Sequence, residues 1–342
     1  MAMRFLRLWP LFASCLALAQ TITPLSSNTS ESLRGLSVVS RQVIWASGTH
    51  GTYLRSLDGG ETWTAGQVPG GEGLDFRDVE AFSADEAYLL SAGTGELSRI
   101  YKTSDGGKTW NLQFTNEEPK GFYDCIAFWD PLHGIAIGDS VNGAFELIAT
   151  EDGGAHWTPM PTPARPRAMA GEGSFAASGT CIAAQGTQDV FFVTGVNVAR
   201  VFHSDNRGQT WSAADAPIMH DGTSAGIFSI ALGEPGFAVI AGGDYQQPDK
   251  SGVKLAFTED GGLTWRASPL APQSFVSAVA LDPTNKQTVL VVGSSHAGLA
   301  PDVRDSRWRM FQEVNLNAVA YAGSGLAFGV GPKGAVVRIS IP

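Results

Sequence analysis

The sequence predicts an all-β fold: a single seven-bladed β-propeller of four-stranded antiparallel blades, its ring closed by an N-terminal strand. Three observations lead there. An eight-residue turn motif recurs at blade spacing, seven inner strands can be aligned, and the last unit lacks its outer strand.

Ser56-Leu57-Asp58-Gly59-Gly60-Glu61-Thr62-Trp63 returns as Thr103-Ser104-Asp105-Gly106-Gly107-Lys108-Thr109-Trp110. It returns again as Thr150-Glu151-Asp152-Gly153-Gly154-Ala155-His156-Trp157. A fourth copy, Ser204 to Trp211, carries Asn206 in the Asp place, and a fifth runs from Thr258 to Trp265 around Asp260. The tryptophans fall 47, 47, 54 and 54 residues apart, and a worn copy, Ser306-Arg307-Trp308, ends 43 residues after Trp265. Each interval holds one four-stranded unit, since two apolar runs separated by turn signals precede each motif and a short strand follows its Trp.

Inner strands align at Leu36, Val79, Cys125, Cys181, Ser229, Ala278 and Ala318, one more than the turn motifs. The seventh unit, Leu316 to Ser340, supplies three strands. Ile22 to Leu25 is the expected fourth, which leaves no open edge. Within each turn motif, Ser/Thr and Asp side chains suit backbone amides, the glycines supply positive φ, and Trp packs between blades. The motif is therefore read as a structural staple (Asp58, Asp105, Asp152, Asn206, Asp260) rather than a ligand or metal site.

Arg4 and Arg7 precede an apolar stretch, Leu8 to Leu18, and Ala17-Leu18-Ala19 reads as a cleavage site. Residues 1–19 are thus expected to be a signal peptide cleaved near Ala19, and 20–342 one propeller exported to the periplasm or secreted. The apolar stretch is short for a span of ~20 residues, and no transmembrane segment is expected. Losing Arg4 and Arg7 moves the formal charge from −10 to −12, which argues against nucleic acid. Cys125 and Cys181 remain. Adjacent inner strands diverge between blades, so the reading favours two free buried thiols over a disulfide.

The turns resemble the BNR/Asp-box repeat of sialidases and other secreted propellers. A wider likeness rests on Leu33-Arg34-Gly35-Leu36-Ser37-Val38-Val39, Gly48-Thr49-His50-Gly51-Thr52, Phe76-Arg77-Asp78-Val79-Glu80-Ala81-Phe82 and Phe175-Ala176-Ala177-Ser178-Gly179-Thr180. Gly226-Ile227-Phe228-Ser229-Ile230-Ala231 and Gly242-Gly243-Asp244-Tyr245 extend it. In these segments the chain is similar to bacterial relatives of the photosystem II stability/assembly factor family. That resemblance implies an exported propeller acting on a protein partner. The acidic charge departs from the basic binding surface associated with the assembly factors.

Chain direction separates the two faces of the disc. The turn motifs lie on the bottom; the starts of inner strands and the loops after second strands share the top. Candidate top-face residues are Arg34, Arg77 and Tyr123 at equivalent strand starts, with Asp78 and Asp124 one step on. His50, Asp139, Asp244, Tyr245, His296 and Lys333 come from the loops, the longest being Asp244 to Gly252. Glu80 breaks a pattern, because its aligned partners are Ser37, Ile126, Ile182, Ile230, Val279 and Val319. A buried carboxylate needs a partner, and Arg34, Arg77 or a ligand is expected to supply it.

Three functions fit. The first is a monomeric, non-catalytic propeller binding a protein outside the cytoplasm. The second is a glycoside hydrolase, sialidase-like or using two carboxylates, drawing on Glu80, Tyr123, Asp124 and Asp139. The third is a small-ligand or carbohydrate-binding module, with Tyr123 and Tyr245 as stacking surfaces. No P-loop, dinucleotide glycine motif, Cys/His metal cluster or nucleophile elbow occurs, so no cofactor or metal is expected.

Overall fold

A computed structural model describes residues 21–269, 272–305 and 307–341. The expected signal peptide and its cleavage site at Ala19 lie outside the described residues, as does Ser306 of the worn turn. The described residues form seven four-stranded antiparallel sheets. Blade 1 is typical: Leu33–Val38, Ile44–Gly48, Thr52–Ser56 and Thr64–Gln67 follow in spatial and chain order. The other inner strands are Phe76–Ala81, Tyr123–Phe128, Ile182–Gln185, Ala225–Leu232, Val276–Leu281 and Ala318–Tyr321. In blade 7, Thr21–Leu25 pairs antiparallel with Val336–Ser340 as the fourth strand, closing the ring as expected. Helical structure among the described residues is limited to three short 3-10 turns.

The bottom turns are built alike. In blade 2, Thr103 Oγ1 accepts the Gly107 amide at 2.9 Å and donates to Asp105, which accepts the Thr109 amide (2.9 Å) and hydroxyl (2.7 Å). Gly106 and Gly107 take φ of 76° and 86°, where a side chain would be strained. The bond from the amide four residues on recurs at Asp58, Asp152, Asn206 and Asp260. The second partner is the Thr hydroxyl at Asp58 and Asp260 and the His156 ring at Asp152, while Thr210 Oγ1 accepts from Asn206 Nδ2. Turns also dock onto the preceding blade: Tyr53 Oη donates to Gly107 O at 2.7 Å and Tyr88 Oη to Gly153 O at 2.5 Å. Trp110 packs edge-on against Trp45 and Tyr53, and Trp157 against Phe128. Blade-to-blade burial of these rings forms the apolar layers of the core.

Inner-strand register departs from the sequence alignment. Pairing with the second strands sets Asp78 opposite Leu90, Cys125 opposite Ile137, Ser229 opposite Ala241 and Ala278 opposite Val292. Asp78, not Val79, is therefore the equivalent of Cys125, and Glu80 is the equivalent of Ala127 rather than Ile126. Bulges just above this level, between Phe76 and Asp78 or Tyr123 and Cys125, add the residue that shifts the count.

At least one bond crosses each of the seven blade junctions near the axis. Ser37 Oγ accepts the Ala81 amide (3.1 Å), Asp78 Oδ2 the Ile126 amide (2.8 Å), and Ser229 Oγ the Val279 amide (3.1 Å). Thr180 Oγ1 donates to Ser229 Oγ (2.7 Å), Ser277 Oγ to Leu316 O (2.8 Å), and Asn317 Nδ2 to Leu33 O (2.7 Å). The seventh link is covalent. The expectation of free thiols is corrected: Cys125 and Cys181 form a disulfide, their Cα atoms 6.0 Å apart. Blades diverge outward, but at this register the inner strands are close enough for the bridge.

Candidate functional site

The bulges that upset the alignment also build the site. A bulge residue is left out of the ladder and its side chain is re-aimed. Here the residues directly before the junction register are Arg34, Arg77, Asp124, Thr180, Phe228, Ser277 and Asn317, one per blade. All but Thr180 line a single cavity of about 470 Å³ at the top of the channel. Asp139, at a register shift within the strand Gly134–Val141 rather than in a loop, adds its carboxyl, and loops add Phe122, Ser174, Phe175, Tyr245 and Phe275.

Chemistry differs around this ring. Blades 1 and 2 contribute two guanidiniums. Arg77 is engaged, with Nε on Asp75 Oδ2 at 2.6 Å and Nη1 on Ala176 O at 2.7 Å. Half-buried Arg34 makes no hydrogen bond or ion pair among the described residues, and its buried Nε has no partner. Burial, then Arg77, pushes its pKa down, against Asp75. Blade 3 contributes two carboxyls. Asp124 is 1% exposed with Oδ2 unpartnered. Burial pushes its pKa well up and Asp139 adds to this, while the Ala176 backbone and Arg77 oppose. Asp139 accepts the Ser174 amide at 2.9 Å, yet burial raises its pKa also. Burial thus disfavours the charged form of both carboxyls, most strongly at Asp124.

Blades 3 to 6 supply an aromatic wall. Phe175 stacks on Phe228 at 3.9 Å, and Phe275 meets Phe228 edge-on at 4.8 Å. Tyr245 stands over them, 50% exposed, at the start of the long loop. That loop is tied back by the Phe275 amide to Pro248 O (2.8 Å) and by buried Lys254, which donates to Lys250 O.

Of the sequence candidates, Arg34, Arg77, Asp124, Asp139 and Tyr245 meet in this cavity. Others do not line it. Tyr123 is buried against Phe114 in blade 2, since its register precedes the bulge. Asp78 serves the blade 2–3 junction. Glu80 lies half-buried one strand pair below it, and Arg77 is not its partner. Glu80 has no hydrogen bond or ion pair among the described residues, and burial raises its pKa to about 7.

Asp244 staples its own loop, accepting Ser224 Oγ (2.7 Å) and the Gln246 and Gln247 amides. Burial opposes its ionisation, but these bonds prevail and its pKa falls. His296 is buried, which lowers its pKa. His50 pairs with Glu31 at the rim at 2.7 Å, and Lys333 is exposed. Sequence reasoning missed Phe122, Phe175, Phe228, Phe275 and Ser277. Phe228 looks like core, because only the bulge distinguishes it from its apolar neighbours.

No protein-family model and no curated protein sequence matches the chain. Among solved structures it is similar to YCF48 bound to D1 peptide, at 16% identity over 94% of this chain and 97% of that one, TM-score 0.65. YCF48 from Cyanidioschyzon merolae gives 18% identity over 93% and 98%, TM-score 0.60. A streptogramin B lyase structure gives 12% identity over 94% and 98%, TM-score 0.67. A binding protein and a lyase on one scaffold show that the likeness is one of fold.

Proposed function

We propose that the chain is an exported, non-catalytic propeller of Asp-box type that binds a protein partner through its top face. The observation carrying this reading is the asymmetric mouth, where inner-strand residues from six blades converge. Such a ring gives an otherwise repetitive disc one oriented recognition surface. YCF48, with a D1 peptide bound, supplies a precedent on this fold. Export is supported by the N-terminal pattern and by a Cys125–Cys181 disulfide, which persists in oxidising compartments. The chain acts as a monomer in this reading.

Glycoside hydrolysis by two carboxyls asks for one protonated and one ionised group. Burial shifts Asp124 and Asp139 in the same direction, so it does not separate them into the acid and base that this chemistry uses. The test is a photo-crosslinking residue at position 245, with position 109 on the bottom face as control. The expected result is one protein adduct in the exported fraction from position 245 only. Equal labelling from both positions, or a reduced cytoplasmic protein, overturns the proposal.

A further inference from the structure

Most polar groups in the mouth cavity are already spoken for. Arg77 is held by Asp75 and Ala176. Ser277 Oγ donates to Leu316 O, Asn317 Nδ2 to Leu33 O, and Ser174 Oγ to Val193 O. Among the described lining residues, two buried polar atoms are left without a partner: Nε of the Arg34 guanidinium and the Asp124 Oδ2 atom, the latter on a side chain 1% exposed. Both line the cavity together with Arg77, which acts electrostatically on each. Facing them is the aromatic wall, where Phe122 and Phe175 are half-buried and Tyr245 is exposed.

We propose that this cavity binds a small aryl carboxylic acid, its carboxylate between Arg34 and Asp124 and its ring against Phe122, Phe175 and Tyr245. Charge complementarity sets the first half. An unpaired guanidinium in a partly desolvated site is completed by a carboxylate, which accepts two parallel N–H bonds. The neighbouring acid supplies a further donor, because burial favours its protonated form. Geometry sets the second half, since aromatic faces on blades 3 to 5 reward a flat apolar body. A polyhydroxylated sugar fits poorly, as few free partners remain for its hydroxyls. A volume of about 470 Å³ lies in the range of small-molecule sites. This inference goes beyond protein recognition and holds whether or not a protein also covers the face.

The experiment is calorimetric titration of the purified oxidised protein with phenylacetate and indole-3-propionate. Phenylacetamide and glucuronate serve as probes lacking the charge and the ring respectively. Both aryl acids are expected to bind, with each control at least tenfold weaker. Arg34→Gln should weaken phenylacetate at least tenfold, Arg34→Lys should restore part of the loss, and Tyr245→Ala should weaken it severalfold. Circular dichroism of each variant establishes that it is folded. Absence of aryl-acid binding to the folded parent, equal binding of phenylacetamide or glucuronate, or unchanged affinity in folded Arg34→Gln overturns the proposal. The crosslinking outcome at position 245 is read separately, so either result can fail alone.

Discussion

The Asp78 carboxylate accepts the Ile126 amide across the blade 2–3 junction at 2.8 Å, in the register that Cys125 uses to reach Cys181. A carboxyl and a disulfide thus do the same mechanical work at neighbouring junctions. Burial makes the Asp78 charge unfavourable and Glu80, on the same side of the strand, adds repulsion, while the Ile126 and Val79 amides favour it. This pair gives stability a specific dependence on pH.

Glu80 should make the protein less stable as pH rises. Its pKa climbs from 4.5 to about 7 on folding, so the folded state retains a proton that the unfolded chain releases. The contribution is therefore neutral below about 4.5, grows unfavourable through neutrality, and levels off above about 7. Glu80→Gln should melt like the parent at pH 4 and higher than the parent at pH 8. Glu80 is half-buried, so solvent screening keeps the gain under the roughly 3 kcal/mol that such a shift represents. Parallel melts at the two pH values that show no change in the difference would refute the assignment.

The disulfide closes a loop between positions 56 residues apart. Replacing both Cys125 and Cys181 by Ala should lower the unfolding free energy by about 2–4 kcal/mol, chiefly by freeing the unfolded chain. Denaturant titration of the double variant measures this. Intact-mass analysis without reductant should show the parent lacking two hydrogens, and a full complement would contradict the bridge.

How much was legible beforehand divides along a physical line. The bottom turns and blade count depend on local chemistry: Thr103, Asp105, Gly107 and Trp110 sit within eight residues, so their spacing is visible. Ring closure by Thr21–Leu25 follows from counting strands. The mouth depends on bulges, which leave no periodic trace. Asp78 occupies a buried slot that Cys, Ser and Ala fill elsewhere, so an alignment by hydrophobicity slides it one residue down. That single slip set Tyr123 beside Arg77 in place of Asp124, hid Phe228, and gave Glu80 isoleucine and valine partners. Its true counterparts, such as Ser37, Ala127 and Ala231, are small residues.

The bottom staples should respond to loss of the buried hydroxyl. Thr103→Val keeps the shape while leaving the Gly107 amide without its acceptor, and Thr103 is fully buried. A cost of roughly 1–3 kcal/mol follows for the orphaned donor. Top-face crosslinking at a temperature where the variant is folded should be unaffected. Lost crosslinking with unchanged melting would mean that the turns take part in recognition.

Arg34 should show the opposite relation between stability and binding. Its guanidinium is desolvated, repelled by Arg77 and unpaired among the described residues, and each of these penalises the folded state. A neutral Arg34→Gln side chain relieves the repulsion and retains hydrogen-bonding groups, so Tm should rise by about 1–3 °C, the equivalent of a fraction of a kcal/mol. Added salt should raise the parent's Tm more than the variant's, because it screens the Arg34–Arg77 repulsion in the parent alone. A strained, unsatisfied group kept at a mouth is expected of a binding site, where the ligand completes it. If Arg34→Gln instead melts well below the parent, Arg34 is holding the blades together, and the unmatched guanidinium has a structural partner in solution.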